Sequence, residues 1–392
     1  MQPIEFIAYY YFSTAFYCLF LLLTWMTVIY YVGSNTQKIL HAEGSPSQFA
    51  TFVLTVLMSF FLGLRQLSRD FGDTIGYYHH YEYITEYVPI NFRTEWLWEN
   101  LQIFCKTVIG MNIHDFFVFV ALVFFFGMFI CSLILTRKNL WMSMLFFFTA
   151  LQTFTYATNG IRNGMALSLI LVAIALLAEY RNDKSKVALA VIIMLIALPI
   201  HRSSALPSVA AFLSLYVIKD TKWGLRFWLL SIVVSLVAGS AVTEFFAALG
   251  FDDRLTSYSQ NEATEDLFSH AGFRWDFLLY SVFPVIMIWY VTRRRKFHDP
   301  GFNMLANTYM FCNAFWIMVI RASFSNRFAF LSWFMYPLLF IYPLMRMNLW
   351  KDQDRKTAII LFFYTGFTFF MFFVYYFGTT GFRGFDQYWW RE

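Results

Sequence analysis

Charge is scarce in this sequence: Asp, Glu, Lys and Arg make up 14% of 392 residues, against 59% hydrophobic residues and a mean hydropathy of +0.54. That balance excludes an ordinary soluble domain of this length. Cysteine is as thin, with four residues and no Cys-x-x-Cys pair; Cys18, Cys131 and Cys312 fall in apolar runs. Neither a zinc site nor a disulfide framework is supported. His-Glu-x-x-His, P-loop and Ser-His-Asp spacings are absent, so zincin, nucleotide-hydrolase and protease readings lack support and no cofactor is expected. The opening Met-Gln-Pro-Ile-Glu lacks the positive n-region and cleavage site of a secretory signal, so the first apolar run reads as a retained helix. With no low-complexity segment, linker or repeat, a single polytopic domain over 1–392 is expected.

What the sequence does contain is apolar runs of roughly 14 to 26 residues from end to end, the longer ones able to cross a hydrocarbon core of about 30 Å as helices. Polar punctuation separates twelve candidate spans near 7–32, 50–64, 115–135, 140–157, 164–179, 187–200, 205–218, 227–245, 277–291, 301–320, 328–344 and 357–378. The fold class expected is therefore all-α, an integral membrane protein of about twelve transmembrane helices. The 50 Phe residues read as lipid contact and helix packing.

Lys and Arg orient the spans, because cytoplasmic loops carry their excess. Seventeen of the 29 basic residues fall in alternate loops starting with 33–49, whereas 17 of the 24 acidic residues fall on the opposite side. With an even number of spans, both termini lie outside, together with the long loops 65–114 and 246–276. The net charge of +5 is then a signal of topology, and no nucleic-acid partner is implied.

Charged residues at membrane depth or just outside it are costly and mark pathways or sites. Five constellations fall on the outer face. The first runs from Gly63 to Tyr81 and holds Arg65, Arg69, Asp70, Gly72, Asp73, Gly76, Tyr77 and Tyr78. Arg65, Arg69, Asp73 and Tyr77 share one face if the segment is helical, while Gly72 and Gly76 favour a turn that brings backbone close to a ligand. The plain alternative is an interfacial anchor with Arg69 paired to a neighbouring carboxylate. The second, Thr158 to Gly164 with Arg162, suits a tight turn or a broken helix whose N–H groups aim at an anion. The third is the short turn Pro199-Ile200-His201-Arg202-Ser203-Ser204. The fourth runs from His270 to Phe277 and holds Arg274, Trp275 and Asp276; the fifth places Arg321 and Arg327 around Asn326. Snorkelling or local Arg274–Asp276 pairing is the plain account of the last two. Arginines with few lysines suit a phosphate or diphosphate, since the planar guanidinium binds such oxygens bidentately and stays charged when partly buried. Lys106 is the only outer lysine.

The ordered set Arg65, Gly72-Asp73 to Tyr77, Ile161-Arg162-x-Gly164, His201-x-Ser203, Phe273-Arg274-Trp275-Asp276-Phe277 and Arg327-Phe328 resembles the EpsG-like branch of Wzy polysaccharide polymerases, over residues of about 60 to 330. Asn163 departs from the glutamine associated with that position. The resemblance implies a GT-C-like, metal-independent glycosyltransferase of the bacterial inner membrane. It would join undecaprenyl-pyrophosphate-linked oligosaccharide repeats into O-antigen, capsule or exopolysaccharide on the periplasmic face, working in membrane lipid beside a chain-length regulator and a flippase. An O-antigen ligase, or a flippase or transporter for lipid-linked oligosaccharides, is the alternative. On the polymerase reading Asp73 is the general base ahead of His201. Arg65, Arg162, Arg274 and Arg327 contact pyrophosphate, with Arg69 and Arg321 second, and Tyr77, Tyr78, Trp275 and Asp276 face sugars.

Overall fold

The computed structural model describes residues 1–33, 38–41, 48–85, 92, 95–248, 273–321 and 326–376, and every regular element among these described residues is helical. In chain order, beyond a single turn at Lys38–His41, the helices are α1 (Tyr9–Val32), α2 (Gln48–Gly63), α3 (Thr74–Glu82), α4 (Trp96–Thr107), α5 (Ile113–Thr136), α6 (Leu140–Phe148), α7 (Thr153–Thr158), α8 (Ile161–Glu179), α9 (Lys184–Ala197), α10 (Ala205–Phe212), α11 (Thr221–Ala248), α12 (Trp275–Trp289), α13 (Pro300–Met318), α14 (Asn326–Trp333), α15 (Tyr336–Arg346) and α16 (Gln353–Phe370).

Each apolar run anticipated from the sequence carries helix. Length then separates those able to cross a bilayer from those that fall short. Seven stretches among the described residues are long and apolar enough: Tyr9–Val32, Ile113–Phe148, Ile161–Glu179, Thr221–Gly239, Trp275–Arg294, Arg327–Arg346 and Gln353–Phe373, with Gln48–Gly63 a shorter apolar helix. The protein is thus a helical, multi-pass membrane protein. Helix α9 has 14 residues and α10 only 8, fewer than the ~20 a perpendicular crossing takes. The run at 140–157 is two short helices, α6 and α7, interrupted at 149–152.

The described helices belong to two compact units, although no linker composition marks a boundary. One comprises Met1–Val172, Leu195–Arg202 and Ile341–Glu392; the other comprises Ala173–Met194 and Ser203–Phe340.

In the first unit α1 packs along α16 and α2 along α5. Phe12 stacks on Phe61 at 4.2 Å and Phe20 on Phe148 at 4.6 Å. Where α2 meets α5 the backbones are nearly touching. A Cβ on Gly63 would lie 2.5 Å from the Cα of Val118, so only glycine permits that approach. Helix α5 begins at a reciprocal cap: Asn112 accepts from the Asp115 N–H and Asp115 from the Asn112 N–H. The buried Asp354 of α16 accepts the N–H groups of Lys38 and Ile39 and so ties down the turn at Lys38–His41.

The segment 65–114, expected as an outer loop, carries α3 and α4 in its described part. Helix α4 buries Trp98, Gln102 and Cys105, spaced for one helical face. Lys106 donates to the carbonyls of Tyr81 and Glu82 at 2.7 and 3.0 Å, fastening α4 to the end of α3. Tyr81 stacks on Phe116 and its hydroxyl donates to the Met111 carbonyl. The other long loop, 246–276, lies outside the described residues except at its two ends, and His270 with it.

In the second unit α11 packs along α13, and α13 along α14. Asp299 caps α13 by accepting the Phe302 N–H, with Pro300 at the first helical position. The middle of α13 buries Asn313, which accepts from the Trp228 indole at 2.7 Å and donates to the hydroxyls of Ser281 and Ser332. Trp333 also donates to the Ser281 hydroxyl, at 2.8 Å. Such a buried network is tolerated in an apolar interior because its polar groups find partners.

Candidate functional site

Arg65 follows the end of α2, and its side chain is fully buried. Nε and Nη2 donate to the Thr74 hydroxyl at 3.2 and 3.1 Å, Nη1 to the Leu62 carbonyl at 2.9 Å and Nη2 to the Thr158 carbonyl at 3.0 Å. The guanidinium also lies over the Phe117 ring at 4.2 Å. Burial lowers its pKa to about 9, still well above neutral, so the charge is kept. Arg65, expected at the pyrophosphate, is fully enclosed and directs its donors to the Thr74 hydroxyl and to the chain's own carbonyls. Arg65 holds the segments around residues 62, 74 and 158 together.

The face expected to align Arg65, Arg69, Asp73 and Tyr77 does not form. Ser68 accepts the Asp70 N–H and opens a single tight turn at Arg69–Phe71, and Gly72 at φ +59° and ψ −118° ends it. Non-glycine residues are essentially barred from that conformation. The chain restarts as α3 at Thr74, whose hydroxyl donates to the Thr158 carbonyl at 2.9 Å. Asn159 Oδ1 accepts the Asp73 N–H at 2.9 Å, and its side chain occupies the space a Cβ on residue 72 would need. Arg69 and the Asp73 carboxylate are exposed, and no ion pair joins Asp73 to Arg65 or Arg69. Tyr77 is half-buried, edge-on to Trp98 at 5.9 Å, and Tyr78 lies beside His79.

The second and third constellations meet at Glu95, an acid the sequence analysis does not single out. Glu95 caps α4 in the left-handed region at φ 57°, a conformation that costs a residue with a Cβ of order 1 kcal/mol or more. Its Oε2 lies 2.6 Å from Arg162 Nη1 in the first turn of α8, and its Oε1 lies 2.6 Å from His201 Nδ1 and accepts the Arg202 N–H at 3.2 Å. The Leu97 N–H donates to the Pro199 carbonyl at 3.1 Å and joins the same two segments independently. Partial burial works to raise the Glu95 pKa, but the bond to His201, the charges of His201 and Arg162 and the Arg202 N–H together bring it down to about 2. An ionised carboxylate only accepts, so His201 Nδ1 carries the proton of that bond. The signal available in the sequence was electrostatic alone: an acid beside a helix start, needed to balance basic turns distant in the chain.

The fourth and fifth constellations lie in the second unit. Arg274 grips Asp276 bidentately, Nε to Oδ1 at 2.9 Å and Nη2 to Oδ2 at 2.6 Å, and stacks over Phe277 at 3.7 Å. The local pairing therefore forms and engages both residues. Trp275 is 62% exposed and its ring leans on Phe273 at 4.4 Å. Arg321, also exposed, reaches over Phe273 at 6.0 Å, and its Cδ and Nε lie 2.9 Å from where a Cβ on Gly239 would be. Arg327 is exposed in the first turn of α14. Phe273 is thus where these two constellations meet, as Glu95 is for Arg162 and His201.

Compared with known proteins, residues 49–388 match the model of the EpsG family. No curated protein and no solved structure matches the chain.

Proposed function

Because the chain belongs to the EpsG family and is a multi-pass membrane protein of polysaccharide biosynthesis, we propose that it polymerises undecaprenyl-pyrophosphate-linked oligosaccharide repeats into a surface polysaccharide on the periplasmic face of the bacterial inner membrane. Twelve crossings, a GT-C-like arrangement and outer termini are part of this reading. A hydroxyl of one lipid-linked repeat attacks the anomeric carbon of the growing chain. The new glycosidic C–O bond forms as the bond to the diphosphate breaks, and undecaprenyl pyrophosphate leaves with the electron pair. The hydroxyl proton passes to a general base, a contribution of about 10²- to 10⁴-fold. Guanidinium groups offset the charge that builds on the leaving diphosphate.

The observation that carries this reading is the joining of Arg162, His201 and Arg202 at Glu95, in the same unit that holds Asp73 against Asn159. It supports a cationic cluster beside an exposed carboxylate. In this assignment Asp73 is the base and Arg162 the first diphosphate contact, with Arg69 as a further contact, and Tyr77 and Tyr78 stack on sugars. In the other unit Arg274, Arg321 and Arg327 are proposed as phosphate contacts and Trp275 and Asp276 as sugar contacts in their own right. The test is deletion of the gene followed by analysis of surface polysaccharide. Loss of long chains with single repeats retained is the expected result. Repeats trapped on the inner leaflet would make the protein a flippase, and long chains left on the lipid carrier would make it a ligase.

A further inference from the structure

We infer that Glu95 is a positioning residue for the diphosphate contact, its carboxylate aiming the Arg162 guanidinium while anchoring the His201–Arg202 turn. This rests on the polymerase reading above and adds to it a residue that no motif contains.

Three features of the geometry carry the inference. Glu95 holds a left-handed backbone conformation, and such a conformation persists only where its surroundings enforce it. Both carboxylate oxygens are in use, one on Arg162 and the other on His201 and the Arg202 N–H, so one side chain orients two segments that lie far apart in sequence. The ion pair is made through Arg162 Nη1, and a guanidinium has five N–H donors in a rigid fork. Gripping one corner therefore sets the direction of the others without consuming them.

The Leu97–Pro199 hydrogen bond keeps α4 joined to the 199–202 turn when Glu95 changes. That allows orientation to be tested apart from folding. The experiment uses the full-length protein in nanodiscs, with lipid-linked repeats extracted from cells lacking the gene as substrate. Glu95→Gln keeps the shape of the side chain and removes its charge. The expected result, measured well below the melting temperature of the variant, is a fall in kcat of about 100-fold, the scale of a misaimed catalytic group, with KM changed by less than about threefold. Glu95→Asp, which keeps the charge, is expected to recover part of kcat and carries the test should the glutamine variant not fold. In an Arg162→Ala background, Glu95→Gln is expected to cost nothing further, as for two residues acting through one contact. Unchanged kcat in Glu95→Gln, or full additivity with Arg162→Ala, overturns the inference alone. A wild-type protein that does not elongate the repeats overturns the polymerase reading and this inference with it.

Discussion

The amide oxygen of Asn159 reaches the backbone N–H of Asp73 through the space that a side chain on residue 72 would fill. Gly72 therefore serves twice, by adopting φ +59° and by leaving room for a neighbour from another segment. Gly72→Ala is expected to lower stability by about 2 kcal/mol or more, summing the left-handed penalty and the displacement of Asn159. Thermal melting in detergent measures it. An unchanged melting temperature would mean that the turn at 69–73 relaxes without cost.

Arg65 and Arg69 lie four residues apart and differ in everything that decides their roles. Arg65 serves three separate chain segments from full burial, whereas Arg69 is exposed. Arg65→Lys replaces a planar fork by a point charge unable to reach Leu62, Thr74 and Thr158 together. It is expected to cost about 3 kcal/mol of stability, in line with lost hydrogen bonds to a charged group. Arg69→Ala is expected to melt like the wild type while elongating lipid-linked repeats more slowly. Comparable melting of the two variants would remove the distinction between them.

Element type was legible in the sequence because an apolar run of membrane length leaves the backbone no partner but itself. Each of the anticipated runs holds helix, and the resemblance seen in the motifs agrees with the family match over 49–388. Length was legible less well. Pro199, two residues before His201, follows the end of α9 and leaves it short, and Pro207 sits inside the short α10. The helices α3 and α4 were hidden in a segment whose mixed polarity reads as loop, since α4 buries one face only. The role of Glu95 is not legible in the sequence for a different reason. Its importance comes from Arg162 and His201, which lie 67 and 106 residues along the chain, and no local spacing encodes that meeting.

Glu95 also sets an expectation for acid stability. Its carboxyl is depressed from an ordinary 4.5 to about 2, so the folded state binds the proton less readily than the unfolded chain. The stabilisation is then fully present above about pH 4.5 and is lost as the pH falls through about 2. Wild-type protein should lose melting temperature across that window more steeply than Glu95→Gln, which has no such proton to gain. Parallel curves for the two proteins would show that the Arg162 and His201 contacts contribute nothing to the acid limb.

Asp73 separates chemistry from folding most cleanly. Its backbone N–H is held by Asn159, while its exposed carboxylate makes no cap bond to α3 and no ion pair with Arg65 or Arg69. Asn serves as well as Asp at a helix start, so Asp73→Asn should leave melting unchanged. If the carboxylate takes the hydroxyl proton, the variant should elongate lipid-linked repeats about 10²- to 10⁴-fold more slowly. Undecaprenyl pyrophosphate, the leaving product on the proposed reading, should bind it as tightly as before, because removing one carboxylate from the neighbourhood of Arg69 subtracts no donor. An Asp73→Asn protein that makes full-length polymer at the wild-type rate would pass the role of base to His201, whose Nδ1 already leans on Glu95. In that case His201→Asn, rather than Asp73→Asn, would carry the large loss in kcat.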